Sequence, residues 1–205
     1  WGLHGSRKLI GALGYATDNA VWLHRVRLSG EIVHGVDISV ASCRTILASY
    51  RLDPRKLVRL ACEAAAVAAW LAAMNLPDLV DAAEAADRGD WKVAYEATRA
   101  ARGAADLTDA YAVQNAIIHA GCATEAATVS AVSAKWGTAI SVGSVARRVA
   151  YAVLAAHDAA WPSDFGPPIT KDDVRIAAGR RTLACLERRA VTLLTGGRDV
   201  SGNGH

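Results

Sequence analysis

The residues best suited to chemistry are His119 and Cys122, which stand three positions apart in the segment His119-Ala-Gly-Cys122. On a helix this spacing places both side chains on one face, where they could provide two ligands to a zinc ion. Further ligands would have to come from elsewhere, and His157-Asp158 is the nearest pair of suitable type. A cysteine nucleophile would need a partner base, and the sequence identifies none. We therefore interpret the pair as core residues and predict neither a metal site nor a catalytic residue.

His119 also belongs to a set of four side chains that could bind a small ligand between helices. Helical bundles build such sites from side chains on facing helices, and small core residues leave room for a ligand. The other three members of the set are Trp136, Tyr111 and Tyr151. A ligand-binding or sequestering protein is therefore one alternative function, and the sequence indicates no particular cofactor.

A second set of polar residues is suited to binding a macromolecule. Four acidic residues recur at intervals of three along one predicted helix: Asp78, Asp81, Glu84 and Asp87. Such a face is commonly the solvated side of a helix, but it can also dock a basic partner through complementary charge. These four carboxylates are the candidate partner-binding residues.

Sequence motifs of the common enzyme classes are absent. The chain contains neither the phosphate-binding pattern G-x-x-x-x-G-K-[ST] nor G-x-G-x-x-G, and it lacks H-E-x-x-H and G-x-S-x-G. The commonest nucleotide-binding, zinc-protease and hydrolase classes are thereby excluded. We predict a protein that is not an enzyme and that binds no cofactor.

Charge is distributed unevenly along the chain, whose formal net charge is +3. Residues 1–60 carry nine Lys or Arg and four Asp or Glu, whereas residues 61–160 carry seven and eleven. The basic residues are scattered rather than grouped in a stripe, so we predict that nucleic acid is not the partner. A basic end and an acidic middle can instead attract each other between protomers, which is compatible with a homo-oligomer.

The cysteines bear on the compartment. Each of the four is isolated beside small or apolar residues, which favours buried, reduced thiols: Cys43, Cys62, Cys122 and Cys185. Because disulfides persist mainly in oxidising compartments, reduced thiols indicate a cytoplasmic location. Charges interrupt every long apolar segment, so no membrane-spanning helix is predicted.

Alanine dominates the elements that must position these residues. The chain contains 44 alanines, and 35 of them lie in residues 61–160. Alanine is the best helix former, and its small side chain lets helix axes approach closely. Asp53-Pro54 predicts the start of a helix, Gly89 the end of a second and Asp90 the start of a third. The predicted fold class is all-α, an alanine-rich multi-helix bundle.

The predicted organisation has three parts. Residues 1–52 form an N-terminal segment packed on the bundle, residues 53–195 form the bundle with a linker at 162–169, and residues 196–205 form a flexible tail. Within the first part, apolar residues fall on even positions from Val26 to Val40 around Ser29-Gly30, which favours a small β-hairpin. Asp18-Asn19 could instead cap a helix through Val21–Leu28.

Two segments resemble a known family. In Arg55–Cys62 a short Leu-rich segment leads into a helix that begins with Ala-Cys. A second predicted helix, rich in alanine and acidic residues, follows at Leu79–Asp90. Over about residues 55–160 the chain is similar in style to the alanine-rich, all-helical immunity proteins and related proteins of high-GC bacteria and their phages. The resemblance implies a non-enzymatic binding protein that acts in toxin neutralisation or phage–host conflict, and it implies no catalytic residues.

Together these observations favour a non-enzymatic protein that binds another macromolecule, of immunity or phage-accessory type. The contact surface would be the acidic helix or the basic N-terminal segment. A small-ligand binding protein and a self-assembling structural component are the alternatives.

Overall fold

The computed structural model describes residues 3–17, 22–35, 38–133, 142–159 and 188–196. In chain order the elements are β1 (Leu3–Ser6), α1 (Leu9–Gly14), β2 (Trp22–His34), β3 (Ile38–Arg51), α2 (Pro54–Leu71), α3 (Pro77–Arg88), α4 (Trp91–Ala105), α5 (Tyr111–Ser133) and α6 (Val142–Ala159). Residues 188–195 are also helical. The all-α prediction is therefore wrong, because three strands accompany the helices and the fold is α+β.

Three predicted helix boundaries are confirmed: the start of α2, the end of α3 and the start of α4. They could be predicted because each depends on local capping. Asp53 caps α2 by accepting a hydrogen bond from the backbone N–H of Arg55 at 2.9 Å. Gly89 ends α3 with a φ of 79°, a left-handed conformation that glycine adopts without steric cost. Asp90 then caps α4 by accepting from the backbone N–H of Val93 at 3.3 Å.

Helix α5 runs through Gly121 without interruption. A Cβ atom at Gly121 would lie 3.4 Å from the γ-methyl carbon of Thr98 on α4. The glycine therefore lies where α4 and α5 pack against each other.

The core of the bundle is formed mainly by alanine. Helix α2 lies at its centre and packs against α3, α5 and α6. The fully buried alanines of α2 are Ala61, Ala64, Ala65, Ala68 and Ala69. Few large side chains are fully buried beside them, among them Leu57, Leu60, Leu79 and Ile117. None of the described helices combines the length and hydrophobicity that a membrane crossing requires.

The three strands form one antiparallel sheet in the order β1-β3-β2. A hairpin is present, but its turn is not at Ser29-Gly30 as predicted, because β2 continues through these residues to His34. Gly30 instead lies in an irregularity of the β2–β3 pairing, where its φ is 79°. Next to it, the backbone N–H of Glu31 donates to Ser42 Oγ at 3.0 Å. Both a turn and a bulge use a glycine with positive φ, so the residue type alone does not distinguish them. The alternative helix through Val21–Leu28 is also wrong, because residues 22–28 lie in β2.

The pairing of β2 with β3 is irregular at two places. Its register shifts twice, once between Arg25 and Val26 and once between Ser29 and Ile32, and such irregularities bend and twist a strand. Strand β1 pairs with the beginning of β3 and leads directly into α1, which packs against α6. Strand β1 and α1 thereby connect the hairpin to the bundle.

Polar contacts attach the outer elements to the bundle. Arg147 of α6 donates to the carbonyl oxygen of Ala16, after α1, at 2.6 Å. Arg189 of the segment 188–195 forms an ion pair with Glu63 of α2 at 2.9 Å. The predicted linker 162–169 and residues 197–205 of the predicted tail lie outside the described residues.

Candidate functional site

A cleft of about 880 Å³ lies between the sheet, α1 and the helical segment 188–195. Its walls come from β1, the connection between β1 and α1, the first half of β2, and single residues of β3, with Val191 and Thr195 on the remaining side. The volume is within the range of about 300–1,000 Å³ that is usual for ligand sites. All three elements are therefore needed to form the cleft.

Six basic or imidazole side chains are among the described residues that line this cleft, which we call the basic cleft. Its cationic and imidazole residues are His4, Arg7, Lys8, His24, Arg25 and Arg44. Among the described residues, no Asp or Glu lines it. These basic residues are separated in the sequence, and the pairing of β1 and β2 with β3 brings them together. Basic residues that are scattered along the chain, a pattern from which we predicted no nucleic-acid partner, therefore line the same cleft in the folded protein.

Several contacts hold the walls of the basic cleft in place. Arg44 of β3 donates through Nη1 to the carbonyl oxygen of His4 on β1 at 3.3 Å. On β2, the Nδ1 atom of His24 forms a hydrogen bond with Ser49 Oγ of β3 at 2.8 Å. Each bond joins neighbouring strands, so His4, His24 and Arg44 are carried on a cross-linked sheet, whereas Arg7 and Lys8 lie on the connection between β1 and α1.

Three aromatic residues also line the basic cleft. Tyr15, just after α1, is 60% exposed, and Trp22, at the start of β2, is 51% exposed, whereas Tyr50 of β3 is half-buried. Side chains two apart on a strand lie on the same face, so Trp22 and His24 point to one side of β2 and Arg25 points to the other. The lining of the cleft thus includes both basic residues and exposed aromatic residues.

The predicted small-ligand set is only partly brought together. His119 of α5 and Tyr151 of α6 lie side by side, with ring centroids 5.2 Å apart and an angle of 40° between the rings. Tyr111 is 74% exposed at the start of α5, two helical turns from His119, and Trp136 lies outside the described residues. Two of the four residues therefore form a contact between facing helices, while Tyr111 is on the surface.

His119 is an uncharged contact residue in this environment. Burial, with a smaller contribution from the positive charge of Arg148, lowers the pKa of His119 below its ordinary value of 6.5. Its buried Nδ1 atom has no hydrogen-bond partner among the described residues. Both facts favour the neutral imidazole.

This environment predicts a pH dependence of stability. Below pH 6.5 the unfolded chain takes up a proton at His119 before the folded chain does, so unfolding becomes more favourable until the pH reaches the lower, folded pKa. We expect His119→Phe, which cannot be protonated, to lose less stability than the wild type between pH 7.5 and pH 5. Urea denaturation at both pH values measures the difference. Equal losses in the two proteins would contradict the assignment.

The described cysteines show no arrangement for metal binding or nucleophilic catalysis. Cys62 is fully buried, and burial raises its pKa to about 12, although hydrogen bonds with Thr124 and Thr98 act in the opposite direction. Cys122 is partly buried on α5, whereas Cys43 is exposed on β3, contrary to the prediction of a buried thiol. Among the described residues, no group of three or more His, Cys, Asp or Glu could hold a metal ion.

The predicted acidic face on α3 is partly neutralised. Asp87 forms an ion pair with Arg59 of α2 at 2.7 Å, and Glu84 lies 3.8 Å from Arg88 on its own helix. Asp81 is exposed and Asp78 is partly exposed, and no salt bridge reaches either of them within the described part of the chain. The four carboxylates lie on the solvent half of α3, and within the described residues two of them form salt bridges and two do not.

Sequence reasoning did not single out the residues of the basic cleft. The available indication was the excess of Lys and Arg in residues 1–60. It could not be localised, because which basic residues become neighbours depends on the sheet register. Comparisons of the chain with family models, curated proteins and solved structures found no match.

Proposed function

We propose that the protein is a non-enzymatic binding protein whose binding surface is the basic cleft and whose partner carries negative charge. The observation that carries this proposal is the composition of the lining, which combines four Lys or Arg and two His with no Asp or Glu among the described residues. A concave surface lined by charges of one sign raises the local concentration of oppositely charged ligands.

The electrostatics of the cleft support this proposal. Arg7 and Lys8 are exposed at the connection between β1 and α1, and no salt bridge reaches either of them in the described part of the chain. Bringing like charges together opposes folding, and an anion in the cleft would relieve that repulsion. A binding role accounts for the exposure of Arg7 and Lys8 better than a structural one.

Two further features are consistent with binding rather than catalysis in a reducing compartment. No carboxylate lies beside His4 or His24 in the described lining, so the acid–base pairs common in hydrolases have no counterpart there. Cys43, Cys62 and Cys122 are free thiols, which supports a cytoplasmic location.

Removing charge from the cleft tests the proposal. We expect Arg7→Ala/Lys8→Ala to weaken binding to immobilised heparin and to inorganic polyphosphate by about tenfold, because two hydrogen-bonding cations are lost. The matched control is Arg99→Ala/Arg102→Ala, which removes the same charge from exposed positions on α4. Equal weakening in both variants, or no binding of any anionic probe by the wild type, would overturn the proposal.

A protein partner at the acidic face of α3 is the second candidate. It is favoured by the exposed carboxylate of Asp81, which has no salt bridge among the described residues, and agrees with the resemblance to immunity proteins. A second copy of the chain is one such partner, since its basic cleft complements this face. Asp78→Asn/Asp81→Asn distinguishes the surfaces, because it would release a basic partner and leave an anionic ligand bound.

A further inference from the structure

We infer that the ligand of the basic cleft is a single-stranded nucleic acid whose phosphates contact the Lys and Arg side chains and whose bases stack on Trp22 and Tyr15. The inference rests on the proposed function, since it names the chemical class of the anion. Nucleic-acid strands carry regularly spaced negative charge and flat aromatic bases, and the cleft presents a group suited to each.

The exposed aromatic rings distinguish this ligand from other anions. Trp22 and Tyr15 expose half or more of their surface, and within the described residues neither ring stacks on another. Exposed aromatic side chains beside positive charge are the usual means of binding single strands, because each base offers a face for stacking. Polyphosphate or an acidic peptide would use the basic groups but would gain little from the rings.

The shape of the site favours a single strand over a duplex. Double-helical DNA is read by protruding elements, such as a helix or a β-ribbon, that enter its grooves. The basic cleft is concave, and its basic groups lie on its walls: Arg7 and Lys8 beside α1, Arg25 on β2 and Arg44 on β3. A flexible strand can enter such a space and turn its bases toward the walls, whereas a duplex cannot.

The position of Trp22 makes it the most informative residue to change. It is half exposed and begins β2, where it pairs across the sheet with Arg51. Truncating it removes stacking surface without opening the buried core. Trp22→Phe keeps an aromatic face and serves as the conservative variant, and Tyr95→Ala removes an exposed ring from α4, outside the cleft.

Fluorescence anisotropy with a labelled twelve-nucleotide oligo(dT) tests the inference on the full chain. We expect Trp22→Ala to weaken binding on the order of tenfold, which is within the range for loss of one base stack, while Trp22→Phe and Tyr95→Ala bind nearly as the wild type does. Arg7→Ala/Lys8→Ala should make the slope of log K against log salt less negative by about 0.7 for each phosphate that the protein no longer neutralises. Circular dichroism and thermal unfolding verify that each variant is folded.

The competing anions are measured in the same assay. If polyphosphate or poly-glutamate binds as tightly as oligo(dT) and Trp22→Ala has no effect, the nucleic-acid inference fails while the proposed function stands. Tighter binding of the matched duplex, or equal binding of a mononucleotide, would also overturn the inference. If none of the anionic probes binds, the inference and the proposed function fail together.

Discussion

Replacing Leu57 with alanine is expected to lower the free energy of unfolding by about 2–5 kcal/mol. Leu57 lies in the first turns of α2, the central helix of the bundle, and its side chain is fully buried. The truncation removes apolar packing and leaves a cavity. Because the surrounding core consists largely of alanine, which has no rotatable side chain to move into the space, the cavity should stay open. We therefore expect a value in the upper part of this range.

Urea denaturation followed by far-UV circular dichroism measures the loss for Leu57→Ala. The matched control is Leu107→Ala, because Leu107 is 88% exposed after α4 and should change stability by no more than about 0.5 kcal/mol. A loss below about 1 kcal/mol for Leu57→Ala would mean that the core collapses around the missing side chain.

The opposite change, Ala64→Leu, is expected to destabilise the protein by about 1–3 kcal/mol. Ala64 is fully buried on α2, which packs against three other helices. Three additional carbon atoms do not fit where the small side chain permits close helix packing, so neighbouring helices must shift. Unfolding should also become less cooperative, because an overpacked core loses its single well-ordered side-chain arrangement before the helices unfold.

Ala100→Leu is the control for this substitution. Ala100 is exposed on α4, and leucine is nearly as good a helix former as alanine, so stability should stay within about 0.5 kcal/mol. Equal thermal midpoints for Ala64→Leu and the wild type would show that the helices of the core are separated by more space than their alanine content indicates.

Local chemistry explains why the helices were predictable. Asp53, Gly89 and Asp90 act on backbone groups within a few residues, so their effect can be read without knowing the fold. The sheet was predicted poorly because pairing depends on distant residues. Gly30 is compatible with either a turn or a bulge. It lies in a bulge because β2 continues to pair with β3 beyond it.

The candidate sites divide in the same way. His119 and Tyr151 are in contact because they lie on facing helices of one bundle, whereas Tyr111 is two turns away on the surface of α5. The acidic residues of α3 were placed on the solvent side as their spacing indicated. Their pairing could not be foreseen, since Asp87 meets Arg59 only because α3 packs against α2.

By itself the sequence determined the alanine-rich helices, their caps and the basic excess at the N-terminal end, because composition, periodicity and capping act over short distances. Only the tertiary structure decided that a three-stranded sheet and the connection after β1 carry that basic excess, and that Arg7, Lys8, Arg25 and Arg44 line one cleft. The physical reason is that strand pairing joins residues far apart in the chain. A shift of register would move those side chains to other neighbours or to the opposite face of the sheet.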